Sequence, residues 1–539
     1  MRNIVETIQQ EQNDIIRNKS NDLLIVQGVA GSGKTSIAMH RIAFLLYNHM
    51  DAGLSHKDVM ILSPNSLFGE YISEVLPELG EKNVISNTLE DLYKAELRGS
   101  ARMDTKNRHL ELMISSKNRN KMWEEMEFKG SYEFITILDR YLDWIENEGM
   151  EFEDILYNDK LVMEKDEFRA HFLDNQIGMS TGSRLARIER ILIDRLRPLE
   201  IERRAEIEEM LIQQGGFDYE EDKEAQRRID ELRGKFISYI SKYTRNNFLL
   251  IYINLVKDFE HFQKFSEGVE LPKSIKGMLA FTTKRLSHGL MSYVDGAVML
   301  YIKLKLEGST NFSKYRQVVI DEAQDYYPIH YYIFKMLFKN SHYTVLGDYG
   351  QTIEKTSTDT VYDDAIKILE PKKPLRIDLT KSYRSSYEIN NFISNLRGDT
   401  NVTLAFERHE EKPSVMGVET EEQLQQLLLD EVEKYKAQNF ARIVVLCKDK
   451  VQVKLLKESI GTKLIAQYVL QDDVPLKHQV TVMPSYMSKG LEYDAVIVYD
   501  ANDKNYVSQF DKQLLYVSCS RALHRLSVLY KGVCTKYIK

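Results

Sequence analysis

The sequence predicts an α/β fold with two units of mostly parallel sheet, the first interrupted by a long, charged, helical segment. Three observations predict it. A glycine-rich turn, Gly28-Val29-Ala30-Gly31-Ser32-Gly33-Lys34-Thr35, lies between an apolar run and an amphipathic run. Short apolar runs alternate with helix-like runs in two stretches of the chain, which is the pattern of crossover units in a parallel sheet. Between those stretches, from about Glu90 to about Lys284, the periodicity is helical and the composition charged.

The chain has 539 residues, a length that corresponds to ~3–4 domains. Its apolar content of 43% is ordinary for globular protein. A formal net charge of −8 argues against a surface coated in positive charge while leaving room for a local basic groove. Cys447, Cys519 and Cys534 show no metal-binding spacing, and the first two sit in apolar runs; buried thiols in a reducing compartment are expected. The opening residues contain no apolar core of signal-peptide type. Phe248 to Val256 is among the longest apolar runs, well short of the ~20 residues of a membrane span. A cytoplasmic protein with no membrane partner is expected.

Taken in order, residues 7–16 show helical spacing just ahead of the glycine turn. Gln12 is placed to read an adenine edge with its amide donor and acceptor. Leu23 to Val26 reads as a buried strand, and Ser36 to Tyr47 as the following helix. A strand, a glycine turn and a helix N-terminus together cradle phosphate, because the turn aims its N–H groups at one point and the helix dipole adds positive charge there. Gly28, Val29, Ala30, Gly31, Ser32, Gly33 and Ser36 form that cradle; Lys34 reaches the β- and γ-phosphates and Thr35 offers its hydroxyl to Mg²⁺. Val59 to Leu62 reads as a second strand, ended by Ser63-Pro64-Asn65, and Val84 to Thr88 as a third. Ile201 to Phe236 reads as an antiparallel helix pair broken at Gly215-Gly216, either a solvated insertion or an arm that touches DNA or a protein.

The stretch from Tyr315 to Asp325 reads as an apolar strand ending in paired carboxylates, Asp321 and Glu322. Asp321 suits Mg²⁺, a hard cation that takes oxygen ligands. Glu322 is placed to orient or deprotonate the water that attacks a γ-phosphate. Tyr343 to Leu346 leads into Gly347-Asp348-Tyr349-Gly350-Gln351, either a simple turn or one whose Gln351 senses the γ-phosphate through its side-chain amide. A second unit begins near Pro371, with strands expected at Ile377 to Leu379, Ile443 to Cys447, Val480 to Met483, Ala495 to Tyr499 and Leu526 to Tyr530. It has no phosphate loop but carries Arg384 and Arg521 at element ends. An arginine from a second lobe neutralises charge building on the γ-phosphate.

Seven ordered motifs make the chain resemble the superfamily 1 helicases of the UvrD/Rep type, most closely the HelD branch. Thr7 to Gln12 resembles the adenine motif, Gly28 to Thr35 the phosphate loop and Asp321-Glu322-Ala323-Gln324-Asp325 the Mg²⁺ and water motif. Gly347 to Gln351 resembles the coupling motif, and Tyr383-Arg384-Ser385 the segment whose tyrosine stacks on adenine and whose arginine meets the γ-phosphate. Lys489-Gly490-Leu491-Glu492 resembles the loop whose glutamate holds the ribose, and Tyr516 to Ala522 the motif with the second arginine finger, Arg521. By the same resemblance Arg41 flanks the base, and Ser63, Asn65 and Tyr486 fall where relatives contact nucleic acid.

The resemblance implies ATP and Mg²⁺ as cofactors, two RecA-like P-loop NTPase domains, and a 3′-to-5′ DNA helicase or translocase acting as a monomer on single-stranded or tailed duplex DNA. The implied division is 1–94 and 285–370 for the first domain, 95–284 for the helical insertion and 371–539 for the second. Two departures point toward the HelD branch, whose members remodel or release RNA polymerase. Gln351 is followed by Thr-Ile-Glu-Lys-Thr, without the aromatic on which UvrD-type translocases stack a base, and Pro484-Ser485-Tyr486 replaces a Thr-x-His. HelD proteins carry an N-terminal coiled coil ahead of the adenine motif, where this chain begins; this departure counts against polymerase binding, and any RNA polymerase contact would fall to the insertion.

Overall fold

In the computed structural model, the residues described are 10–48, 54–97, 99, 101–116, 118–175, 178–213, 218–352, 355, 360–397, 404–405, 408–471 and 476–538. The first three motif residues, Thr7 to Gln9, and Gly215-Gly216 lie outside them, as do Ile353, Glu354 and Thr356 after the coupling glutamine.

The first unit opens with helix α1 (Gln10–Arg17), strand β1 (Leu23–Gly28), helix α2 (Lys34–Asn48), strand β2 (Val59–Leu62), helix α3 (Ser66–Glu78) and strand β3 (Ile85–Asn87). The chain returns to the same sheet after the insertion with β4 (Gln317–Ile320), β5 (His342–Gly347) and β6 (Pro374–Leu379). The six strands lie in the order β6-β1-β5-β4-β2-β3, all parallel. Both faces are covered. Leu23 and Ile25 enter one core while Leu24 and Val26 enter another, which explains why the strand reads as a continuous apolar run.

One expectation fails here. Ile377 to Leu379, read as the first strand of the second unit, belongs to β6 and pairs with β1. The physical reason is the shared core: Leu375, Ile377 and Leu379 pack with Leu24 and Val26.

The insertion includes α4 (Lys106–Ser115), α5 (Arg119–Gly130), α6 (Thr181–Gln213), α7 (Asp218–Thr244) and α8 (Tyr293–Leu306). It divides into two parts. The part nearer the sheets shares its core with them: Leu110, Met126, Phe134, Tyr252 and Leu300 belong to the cluster that holds Ile25 and Val318. The distal part, α6 and α7 with a small β-hairpin at Ile155–Met163, has its own core around Ile188, Leu192, Phe236 and Ile240. The expected helix pair is therefore present, with Pro198 inside α6. Neither expectation, a solvated insertion or an arm, describes the nearer part, which is fused to the sheets.

The second unit holds β7 (Ser414–Val418), β8 (Ile443–Cys447), β9 (Gln467–Tyr468), β10 (Val480–Pro484), β11 (Tyr493–Val498), helix α9 (Gln509–Cys519) and β12 (Ala522–Lys531). Its strands lie in the order β7-β12-β11-β8-β10-β9, again all parallel. Val444 and Leu446 face the core shared with the first sheet, while Ile443, Val445 and Cys447 face a separate one. Each such fully buried Val, Ile or Leu contributes about 1.5–3 kcal/mol. Cys447 and Cys519 are buried, and burial pushes both thiols up. Among the described residues no helix is long and apolar enough to cross a membrane.

Candidate active site

The glycine turn joins β1 to α2. Gly31 and Gly33 take left-handed backbone angles, φ +75° and +81°, which disfavour any side chain. At Gly28 the constraint is space: a Cβ would fall 2.2 Å from Ser32 Oγ. The Ser32 hydroxyl is buried within the turn with no hydrogen-bond partner. Lys34 Nζ folds back and donates to the Gly28 carbonyl at 2.7 Å and the Val29 carbonyl at 3.2 Å. Thus a cation and an unsatisfied hydroxyl converge on the hollow that the turn encloses.

Thr35 Oγ1 donates to Asp321 Oδ2 at 3.4 Å across 286 positions of sequence. The first unit is therefore closed around the insertion. Burial, and then neighbouring Glu322, push the Asp321 carboxyl up to about 7. A buried carboxyl beside a hydroxyl is a donor set that fits a hard divalent ion. Among the described residues no group of three or more His, Cys, Asp or Glu forms a metal cluster. Mg²⁺ does not need one, since it binds through one or two protein oxygens plus water and substrate phosphates. Glu322 sits at φ +51°, a left-handed angle unusual for a non-glycine residue and common at functional sites.

A narrow cleft lies between the two units. Gly31, Lys34, Thr35, Asp321, Glu322 and Gln351 line it from the first, and Arg384, Glu492 and Arg521 from the second. Arg384 is ion-paired with Glu492. Arg521 is buried, which lowers its affinity for a proton, with Glu322 and Glu492 opposing that effect. Its guanidinium donates to the Gln351 side-chain carbonyl and to the Val517 carbonyl at 3.1 Å. A chain of contacts runs from there to the acid pair. Gln351 Nε2 donates to Asp348 Oδ2 at 2.8 Å, the Asp348 N–H donates to Gln324 Oε1 at 2.9 Å, and Gln324 Nε2 donates to Glu322. Gln324 lies in the acid-pair motif and Asp348 in the coupling motif, and only the fold shows that they bridge.

The remaining candidates fall in different places. Gln12 is buried against the turn, its amide donating to the Ser32 carbonyl at 3.4 Å. The Tyr383 N–H donates to the Gly31 carbonyl at 3.0 Å. Arg41 is 3% exposed and donates to Thr344 Oγ1 and to the Ile15 and Asn18 carbonyls. Its donors tie α1 to the sheet rather than facing the cleft, and burial brings its pKa down to about 10.

The nucleic-acid candidates do not form an open surface. Ser63 is 2% exposed and donates to the Asn87 carbonyl at 3.4 Å. Asn65 caps α3 and donates to the Lys489 carbonyl at 2.9 Å. Tyr486 is 1% exposed beneath the insertion, its hydroxyl donating to Glu111 at 2.6 Å. In this conformation Tyr486 offers no ring face to a base.

Compared with known families, residues 8–354 match the UvrD/REP helicase N-terminal domain. The chain belongs to that family. Among solved structures, it is similar to the C-terminal domain of a possible DNA helicase from Lactobacillus plantarum. The identity is 27%, over 29% of this chain and 92% of that one, with a TM-score of 0.26. No curated protein matches the chain. A UvrD/REP-type helicase is thus the coarse identity of the chain, with ATP hydrolysis and nucleic acid as the chemistry and substrate such a family implies.

Proposed function

We propose that the chain is an ATP-dependent 3′-to-5′ DNA helicase or translocase built on two RecA-like domains. The expected division between them changes in two places: the helical insertion runs on through α8, and the first domain extends through β6. The observation that carries this reading is the convergence on one cleft of Lys34, Asp321 and Glu322 from one unit with Arg384 and Arg521 from the other.

In the proposed reaction Lys34 leaves the loop carbonyls and binds the β- and γ-phosphates. Gly28 to Ser36 supply backbone donors, and Ser32 gains a partner for its buried hydroxyl. Thr35 and Asp321 are the residues that would hold Mg²⁺, which when bound screens the phosphate charge. Glu322 takes the proton of the attacking water, whose oxygen bonds to the γ-phosphorus as the bond to the ADP oxygen breaks. Arg384 exchanges Glu492, and Arg521 exchanges Gln351, for oxygens of the transferring phosphoryl group. Glu492 is then available to the ribose, Tyr383 and Gln12 to the adenine. Because Gln351 contacts Arg521 across the cleft, its release on nucleotide binding links hydrolysis to relative movement of the units.

The test is steady-state ATPase activity with and without single-stranded DNA. Stimulation by DNA is expected, with turnover lost by orders of magnitude in Lys34→Ala; near-wild-type turnover in that variant contradicts the site. A second reading, a HelD-like ATPase that acts on RNA polymerase, is favoured by the burial of Tyr486 beneath Glu111. It predicts capture of core RNA polymerase and little response to DNA.

A further inference from the structure

The insertion reaches the cleft through a buried carboxylate. Asp325 lies in the short turn after Glu322. Its two oxygens accept from Lys489 Nζ at 2.6 and 2.7 Å, and one also accepts from Lys106 Nζ at 2.8 Å. All three side chains are buried. Burial pushes the Asp325 carboxyl up, but the two ammonium groups outweigh it and hold the acid well below the ordinary carboxylate range.

These residues come from three separate segments. Asp325 belongs to the acid-pair turn of the first unit. Lys489 precedes Gly490 and Glu492, both of which line the cleft. Lys106 opens α4 of the insertion, where its backbone N–H donates to Glu90 at 2.8 Å. The Lys489 loop is pressed against the first unit by other contacts too. Asn65 donates to its carbonyl, and a Cβ at Gly490 would fall 2.8 Å from the Phe68 ring.

The rest of this stretch is fastened to the second unit. Glu111 of α4 accepts from Tyr486 Oη at 2.6 Å and from the Lys450 N–H at 3.3 Å. Arg119 of α5 donates to Ser508 Oγ at 2.9 Å and lies over the Phe510 ring at 4.4 Å. A shift of α4 would therefore displace the loop that carries Glu492, the partner of Arg384.

We propose that Lys106 is a positioning residue for ATP turnover, acting through Asp325 on the Lys489–Glu492 loop, so that whatever moves the insertion sets the geometry of the cleft. This rests on the ATP-hydrolysis reading of the cleft. Lys106 touches no reacting atom; it fixes the carboxylate that fixes the loop.

The experiment compares the full chain with Lys106→Met and Lys106→Arg. Steady-state ATPase gives kcat and KM, amide hydrogen exchange reports on residues 485–492 without nucleotide, and thermal unfolding monitors the fold. Lys106→Met is expected to lower kcat about tenfold with KM for ATP altered less than about twofold, within the usual range of coupling between sites. It also speeds exchange at 485–492, and Lys106→Arg restores most of kcat. Lys106→Gln, which keeps a hydrogen-bond donor, is read in the same way if the methionine variant does not fold. Lower stability with kcat unchanged would make Lys106 merely structural and overturn the proposal. If the wild-type chain shows no ATPase, the hydrolysis reading fails by itself; unaltered exchange at 485–492 would then overturn the coupling independently.

Discussion

The two parts of the insertion hold their charge in opposite ways. Near the sheets, Lys129 donates to Glu125 and Asp295, and Arg285 bridges the same two acids. Tyr252 adds its hydroxyl to Asp295 at 2.8 Å, and Lys129 and Asp295 are fully buried. In the distal hairpin, Arg204 pairs with Glu208, and Arg227 with Glu224 and Glu231, all along solvent-facing sides of α6 and α7. A buried pair has few acceptable geometries, because a misplaced charge there stays unpaired in low dielectric. An exposed pair exchanges its partner for water at little cost. The nearer part can therefore transmit position to the cleft, while the hairpin's pairs keep a long helical surface soluble.

The contrast is broken most strongly at the cleft itself. Arg521→Ala should lower kcat about 10³-fold, the scale of an arginine that stabilises a transferring phosphoryl group; steady-state ATPase measures it. Next comes the buried cluster. Asp295→Asn leaves Lys129 and Arg285 short of their shared acid and should cost about 3–5 kcal/mol, read as a shift in urea unfolding.

A smaller effect follows from pH. Burial brings His109 down to about 4 and His330 down to about 3. Both are neutral when folded, and the unfolded chain takes up their protons first, near pH 6.5. Their contribution to stability is thus full above that pH and declines as pH falls toward those values. The urea midpoint should drop from pH 7 to 4.5, less steeply in His109→Gln. The smallest effect is in the hairpin: Arg227→Ala should leave the melting temperature unresolved from wild type, and a clear drop would mean that the distal charges also fix geometry.

Much of the fold was legible because its cues are local. The glycine turn is a run of neighbours whose backbone angles and helix end do the work together. The apolar strand leading to Asp321 and Glu322 needs no distant partner to be seen. Strand β6 was misassigned because its apolar pattern says that it is a strand but not which edge it joins. Nothing near Tyr486 in sequence announces its partner Glu111, 375 positions away. Arg41 was read toward the base, although its acceptors lie on β5 and at the end of α1.

By itself the sequence determined the chemistry available: a phosphate-binding turn, an acid pair and arginines placed at element ends. Periodicity and turn residues encode these over a few neighbours. Only the tertiary structure decided which of them meet. It joined β6 to β1, sealed Tyr486 beneath the insertion and gathered Lys106, Asp325 and Lys489 around one buried carboxylate. The reason is that pairing across hundreds of positions depends on complementary cores and on the cost of leaving a buried charge alone, and no local pattern carries either.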